Sequence, residues 1–378
     1  MRETYDIAVI GAGIAGASVA ANLAQRGVRI ALLEMESQPG YHTTGRSAAI
    51  YSPVYGPEPI RALTRASLGF FNTPPDGFTS NALLSVRNAC FLAREDQLGD
   101  LAHLQTELGD ARTVTRLDQE LLQSRVPLLK DGYAVAGLWD SGTSEIDVAA
   151  LHQGYLRQFK LNEGTVRTNS AVKSINKTSK GWTLCTAQGE IDAAIVVNAG
   201  GAWADVLGDM AGAERIGLIP KRRTAVIVDA PEGCDISVLP LTVDVQEQFY
   251  LKPEAGKLLI SPANEDPESP CDVQPDEMDI AICVDRIEQA FDISVRRIER
   301  SWAGLRSFVA DKCPVAGFSA QVEGFYWLAG QGGYGIQSAP ALAEYAAAKI
   351  LGLEVPQHIL DEGLDPATLK PNRAGLLG

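Results

Sequence analysis

Asp6-Ile7-Ala8-Val9-Ile10-Gly11-Ala12-Gly13-Ile14-Ala15-Gly16, close to the amino end, is the stretch on which the fold turns. Asp6 to Ile10 is a short apolar run of strand character. The glycines follow at once, and a helical stretch then reaches Arg26, where Gly27 ends it. Gly16, Ala20 and Ala24 recur at four-residue spacing and make a helix face small enough to lie close on the strand. A second apolar run, Val28 to Leu33, ends in Glu34. The pattern predicts a βαβ unit that begins almost at the first residue. A cleaved leader would destroy it, so no cleavage is expected. The glycines serve different ends. Gly11 permits a tight turn, Gly13 lets backbone approach a pyrophosphate, and Gly16 lets helix and strand touch. The helix N-terminus offers free N–H groups to phosphates. Glu34, 18 residues beyond Gly16, is placed to accept hydrogen bonds from a ribose and to disfavour a 2′-phosphate. The unit is read as a dinucleotide site, and by itself it does not separate NAD from FAD.

The rest of the chain makes that choice. A chain of NAD type continues directly with further βαβ units, but Met35 to Tyr55 is a loop rich in Gly, Ser and Thr. Ile195 to Asn198 reads as a buried strand running into the glycine turn Ala199-Gly200-Gly201-Ala202-Trp203. Phe325 to Ala329 reads as another strand. It leads through Gly330-Gln331-Gly332-Gly333-Tyr334-Gly335 to a helix predicted to start at Ser338 (cap) and Pro340 (first turn) and to end at Gly352. Three glycine-punctuated strand ends spread along the chain suit a long ligand threaded across one sheet, as FAD is. Val166 to Cys185, with the turn Thr178-Ser179-Lys180-Gly181, reads as a hairpin followed by a strand from Glu190 to Asn198. Strand-like runs at 224–228 and 248–251 lie in a region broken by Pro-rich acidic turns.

Composition bounds the remaining choices. The 378 residues exceed a typical single domain roughly two- to threefold. Apolar residues make up 46% and charged residues 21%, which excludes a largely disordered chain. Lys plus Arg is 33 against 47 for Asp plus Glu, a net charge of −14, which argues against nucleic acid or an anionic membrane as partner. No apolar run is long enough for an integral membrane segment. The six cysteines are scattered, with no CxxC pair. They frame no metal site and fit a cytoplasmic protein, with peripheral contact to an inner membrane left open. Cys313 is read as a plain buried thiol, and His103, His152 and His358 as structural.

Several motifs stand in an order that resembles the D-amino acid oxidase/dehydrogenase flavoprotein family, which includes glycine and sarcosine oxidases. They are the N-terminal unit, Gly45-Arg46-Ser47-Ala48-Ala49, Asn198-Ala199-Gly200-Gly201-Ala202-Trp203, Trp302-Ala303-Gly304-Leu305-Arg306, Asp311-x-x-Pro314-x-x-Gly317 and Gly332-Gly333-Tyr334-Gly335. Within the family the chain is most similar to the bacterial D-arginine dehydrogenase branch. The resemblance implies an α/β fold: a discontinuous Rossmann-like FAD domain of glutathione-reductase type and a substrate domain with a mixed, mostly antiparallel sheet. The expected division is 1–55, 145–210 and 303–378 for FAD, and 56–144 and 211–302 for substrate. It further implies non-covalent FAD. Carried over by position, the contacts would be Ala15, Glu34, Met35, Thr43, Thr44, Gly45, Arg46, Ser47, Ala48, Ala49, Ile50, Val172, Gly332, Gly333, Tyr334, Gly335, Ile336 and Gln337, besides Gly11, Gly13 and Gly16.

Oxidation at a Cα–H by a flavin needs a substrate held with its hydrogen toward N5, a neutralised carboxylate, and support for negative charge on the reduced ring. Arg306 and Arg223 are the candidates for carboxylate capture, because a planar guanidinium grips a carboxylate with two hydrogen bonds. The resemblance adds Tyr55 and Tyr250 as partners of the same carboxylate and the Gly304 carbonyl as acceptor for the substrate amine. The helix expected after Gln337 would supply the positive end. Two departures from the D-arginine dehydrogenase branch stand out. Ala89 replaces a glutamate that pairs with a cationic side chain, a contact worth roughly 1.5–3 kcal/mol, and Ile50 replaces a histidine. Arg87 would also repel such a side chain if it pointed inward. The expected reaction is oxidation of a D-amino acid with a neutral or apolar side chain to an imino acid, with oxygen or a quinone as final electron acceptor. The alternatives are glycine, an N-methyl amino acid or a 2-hydroxy acid as substrate, or a flavin-binding protein without turnover.

Overall fold

Ile7 and Val9 face one buried layer and Ala8 and Ile10 another, so the strand Glu3–Ile10 is covered on both sides. Central strands of parallel sheets are buried in this way. The computed structural model describes residues 3–109 and 111–376. In it Glu3–Ile10 lies between two parallel neighbours, Ile30–Leu33 and Gly189–Asn198. The predicted βαβ unit is present. Its helix spans Ile14–Ala24, Gly27 follows at φ 79°, and the second strand starts at Ile30 rather than Val28.

Gly189–Asn198 serves two strands on its other side. Its first half pairs antiparallel with Gly181–Thr186, and Val196 to Asn198 pair in parallel with Phe325–Trp327 of the strand Phe325–Ala329. The parallel strands therefore end at one edge of the sheet, and Gly11, Gly200 and Gly330 follow their last residues closely. Ligands of open α/β sheets bind at this edge.

Two boundaries differ from the sequence reading. The hairpin is confined to Val172–Thr178 and Gly181–Thr186, while Thr165–Arg167 is a separate strand parallel to Ile30–Leu33. Asn169, at φ 52°, turns the chain between them. The last long helix spans Gly335–Ile350, so it starts earlier than Ser338 and carries Pro340 inside. A capping serine accepts a hydrogen bond from the turn ahead, whereas the Ser338 hydroxyl donates 2.8 Å backward to the Tyr334 carbonyl.

The second sheet has nine strands among the described residues, and all its pairings are antiparallel except that of Leu241–Asp244 with Ala89–Ala93. It is mixed and mostly antiparallel, as predicted. Strand alternation sorts its residues by face. Cys90, Leu92, Val226, Val228 and Leu251 enter a core closed by Cys283, Ile287 and Ala290 of the helix Glu277–Ala290. Ala89, Phe91, Arg223, Leu241, Val243 and Tyr250 face the other way, toward a cavity between the sheets. Ile298–Phe308 pairs with Ile219–Val228 along its whole length, from Phe308 opposite Ile219 to Ile298 opposite Val228. This strand crosses the boundary expected between 302 and 303. Among the described residues, no helix is long and apolar enough to cross a membrane, and no group of three or more His, Cys, Asp or Glu is placed to hold a metal ion.

Candidate functional site

A cavity of about 260 Å³ opens at the carboxyl edge of the first sheet. Gly11 stands at φ +98°, and a Cβ there would lie 2.4 Å from the Ala199 carbonyl oxygen. A Cβ on Gly16 would lie 1.8 Å from the Gly11 carbonyl oxygen, so both positions admit only glycine. The turn they form is braced from three sides. Glu34 accepts from the Ala12 N–H at 2.9 Å and from the Glu36 N–H at 3.0 Å. The Thr44 hydroxyl accepts from the Ile14 N–H at 2.9 Å. His152 Nε2 donates to the Ala12 carbonyl at 2.8 Å, and burial lowers the pKa of its ring. No side chain caps the helix Ile14–Ala24 at Gly13, and Gly13, Ile14 and Ala15 line the cavity. A cradle of bare backbone, a helix start whose Gly13 offers no capping side chain and an oriented carboxylate at a strand end fits the pyrophosphate and ribose of a dinucleotide.

Of the residues predicted for the cofactor, Gly11, Gly13, Ala15, Glu34, Met35, Thr43, Thr44, Arg46, Ser47, Ala48, Val172, Gly332, Gly333, Gly335 and Ile336 line this cavity. Ala49, Ile50 and Gln337 line a smaller adjoining pocket of about 90 Å³. Three do not line either. Gly16 is turned onto the strand. Gly45 closes a turn, donating its N–H to the Gly40 carbonyl at 2.8 Å. The Tyr334 ring packs on Tyr55 and Phe308, with centroids 5.0 and 6.1 Å away. Arg46 lines the cavity, but its guanidinium is engaged by Asp272 and by the carbonyls of Val273 and Ala303. It ties the loop to the second sheet. The helix Gly335–Ile350 presents its first turn to the cavity, three residues earlier than predicted.

The smaller pocket shares Ser47, Ala48, Arg223, Tyr250, Arg306 and Gly333 with the larger one. Register brings the two arginines together. Arg223 is opposite Gly304 and Lys221 opposite Arg306, so both guanidinium groups spring from one face of one strand pair. A Cβ on Gly304 would sit at an ordinary 3.5 Å from Arg46 Cβ, so packing does not demand glycine there, and its bareness leaves the cavity floor open.

The two arginines are not equivalent. Arg223 is buried; its Nε donates to the Asn264 carbonyl at 2.9 Å and its Nη2 to Glu265 at 3.3 Å. Burial first and Arg306 second lower its pKa. The Arg306 guanidinium has no hydrogen bond or ion pair among the described residues. Burial opposes its charge, but Tyr55, Tyr250, Glu247 and Tyr334 outweigh it and raise the pKa. A charged guanidinium with no carboxylate within ion-pair distance, opening on a cavity, is an anion receptor.

Tyr55 stands in the smaller pocket, its pKa pushed up to about 12 by burial and then by Glu247, against Arg306 and Arg223. A raised phenol pKa keeps the proton on, so Tyr55 is a neutral donor at any ordinary pH. Tyr55→Phe is therefore expected to lower kcat/KM without changing the shape of its pH profile between about pH 6 and pH 10. A profile that changes shape would show that Tyr55 titrates. Gln337 steadies the segment bearing Tyr55, accepting from the Ser52 N–H at 3.0 Å.

Sequence reasoning missed Glu247, which lines the smaller pocket from the turn between Leu241–Asp244 and Tyr250–Glu254. It holds a left-handed backbone, φ 54°, where no Gly or Asn announces a turn. The pocket is thus not free of negative charge, although Ala89 itself brings none to the wall. Arg87 does not point inward. Its Nη1 donates to the carbonyls of Ser237 at 2.9 Å and Leu239 at 2.8 Å, and its Nε is 3.4 Å from Glu145. Trp203 lines the larger cavity directly after the glycine turn at Gly200 and Gly201, and His42 lines it bound to Glu36 at 2.9 Å. Cys313 is buried, its thiol pushed up to about 11 by burial.

A family model described as FAD dependent oxidoreductase matches residues 6–349. The chain is 25% identical over 401 residues to the mitochondrial dimethylglycine dehydrogenase of Homo sapiens, covering 99% of this chain and 45% of that protein. The chain thus spans about half the length of that relative. The crystal structure of glycine oxidase from Geobacillus kaustophilus superposes with a TM-score of 0.83 at 22% identity, covering 98% of this chain and 99% of that one. The L-alpha-glycerophosphate oxidase of Mycoplasma pneumoniae, a structure with FAD bound, does so with a TM-score of 0.81 at 18% identity, covering 93% and 96%.

Proposed function

The chain belongs to the family of FAD-dependent oxidoreductases and takes FAD as its cofactor, and from that premise we propose that it oxidises a D-amino acid with a neutral or apolar side chain. The product is an imino acid, which water hydrolyses to a 2-oxo acid and ammonia; oxygen or a quinone takes the electrons in the end. Bound FAD supplies the two-electron acceptor. Gly11, Gly13, Ala15 and Glu34 would hold its nucleotide half, and Ser47, Ala48, Gly332 and Gly333 its ring. The first sheet serves the cofactor and the second roofs the substrate.

The observation that carries the reading is the Arg306 guanidinium, charged and with no hydrogen bond or ion pair among the described residues, in a cavity it shares with Arg223, Tyr250 and Tyr55. A substrate carboxylate supplies the missing charge, and bidentate geometry fixes its orientation. The Tyr55 hydroxyl donates a hydrogen bond to the same group, and the Gly304 carbonyl accepts from the amine. The walls beyond the arginines are Ile50, Ala89, Phe91, Leu241 and Val243, which suit an apolar side chain. Glu247 supports a second reading in which a cationic side chain is taken instead. Glycine and N-methyl amino acids, named for two of the relatives, are alternatives on the same carboxylate clamp, as is a 2-hydroxy acid.

Anaerobic bleaching of the flavin by a panel of D-Leu, D-Phe, D-Arg, D-Lys, the L-enantiomers, glycine, sarcosine and lactate decides among these. D-Leu or D-Phe should reduce the flavin fastest; D-Arg as best by a wide margin overturns the proposal. Ala89→Glu should raise kcat/KM for D-Arg relative to D-Leu by roughly tenfold or more, because a charge-assisted contact is added to the wall. An unchanged ratio would mean that residue 89 does not face the side chain.

A further inference from the structure

Arg223 and Arg306 open on the same pocket with Glu247, yet among the described residues only Arg223 has a carboxylate within ion-pair distance. Glu265 lies 3.3 Å from Arg223 Nη2, 2.9 Å from Lys221 Nζ and 3.7 Å from Lys312 Nζ. The carbonyl of the preceding residue, Asn264, accepts from Arg223 Nε at 2.9 Å. Two consecutive residues of one turn therefore aim the guanidinium, and one carboxylate answers three cations. Glu265 is the only carboxylate within ion-pair distance of Arg223 among the described residues. Burial works against its charge, but the three cations outweigh burial and lower its pKa, so it stays ionised.

We infer that Glu265 is a positioning residue that sets how strongly Arg223 grips the substrate carboxylate. This rests on carboxylate capture by the two arginines and divides the labour between them. Arg306, with no carboxylate within ion-pair distance among the described residues, supplies the firm hold, and Arg223, partly neutralised and tethered, supplies direction. The physical reason lies in the products. A 2-oxo acid keeps the carboxylate of its parent amino acid, so two uncompensated guanidinium groups would hold product as tightly as substrate. Binding that is equal in both states gains nothing for turnover and slows release. A negative charge behind Arg223 weakens the grip on every carboxylate while leaving the geometry in place.

The test uses FAD-loaded protein and isovalerate, a branched carboxylate with no amine to oxidise, titrated through the change in the flavin absorption band. E265Q removes the charge and keeps the shape. It should bind isovalerate roughly fivefold more tightly, since a like charge behind Arg223 has been removed from a partly screened site. With a good substrate its KM and kcat should fall together. E265D keeps the charge and should return the wild-type isovalerate affinity; E265N repeats the charge removal in a shorter side chain. Unchanged or weaker isovalerate binding in E265Q and E265N, with binding lost in R306M, overturns the inference and leaves carboxylate capture standing. Undiminished binding in R306M overturns the capture reading itself.

Discussion

Arg306→Met is expected to lower kcat/KM by roughly a hundred- to a thousandfold while the protein keeps its flavin and its melting temperature. The magnitude follows from removing one partner of a desolvated charge pair, which costs about 2–5 kcal/mol in comparable sites. Stability should be spared because the Arg306 guanidinium makes no hydrogen bond or ion pair among the described residues. A guanidinium in a structural ion pair would leave an unpaired carboxylate behind when removed; this one leaves none. Arg306→Lys should recover part of the loss, because charge returns without the planar fork. Steady-state kinetics, flavin absorbance and thermal unfolding of the same preparations check all three expectations. Activity within a few-fold of wild type in Arg306→Met would remove the central support for the proposed function.

Gly16→Ala should show the opposite pattern, with flavin lost and stability reduced. The added Cβ would be 1.8 Å from the Gly11 carbonyl oxygen, a distance no rotamer relieves because both atoms belong to or adjoin the backbone. Helix Ile14–Ala24 must move off the strand or Gly11 must leave its φ +98° turn. Either change displaces the N–H groups facing the cavity. Overpacking of this kind costs about 1–3 kcal/mol or more, which should lower the melting temperature by roughly 5 °C. Purified Gly16→Ala should emerge largely colourless, with flavin restored only by a large excess of FAD. Wild-type flavin content would show that helix and strand tolerate separation, against the close packing at Gly16. Gly304→Ala is the natural control, because its Cβ has room against Arg46. It should keep flavin and fold and reduce only turnover.

The contrast between these glycines shows what can be read before any coordinates. Gly11, Gly13 and Gly16 act over a few residues, and their spacing encodes a steric demand that only one local geometry satisfies. Glu34 belongs to the same class, since strand length alone carries it to the edge of the sheet. The start of the last long helix reads three residues late because Ser338 and Pro340 imitate a capping pattern. Tertiary packing sets the true first turn at Gly335, where Gly333, Gly335 and Ile336 line the cavity. Gly45 and Tyr334 belong to the site by their motifs and stand behind it in space. A motif specifies a neighbourhood, whereas which atoms face the ligand depends on side-chain direction.

Glu247 and Glu265 mark the limit more sharply. Neither lies in a recognisable motif. Glu247 reaches the pocket only because a turn without glycine adopts φ 54°. Glu265 reaches Arg223 only because the segment that follows Lys257–Ser261 folds back beside the start of Ile219–Val228. The residue sequence by itself determined the nucleotide unit and the class of sheet that follows it, because those depend on short-range sterics and strand patterning, and it marked Arg223 and Arg306 as candidates through their motifs. The tertiary structure alone decided that Arg223 is tethered and Arg306 is not, and that a carboxylate stands among the apolar walls. Those outcomes depend on strand register between segments far apart in the chain, and no local pattern carries a register.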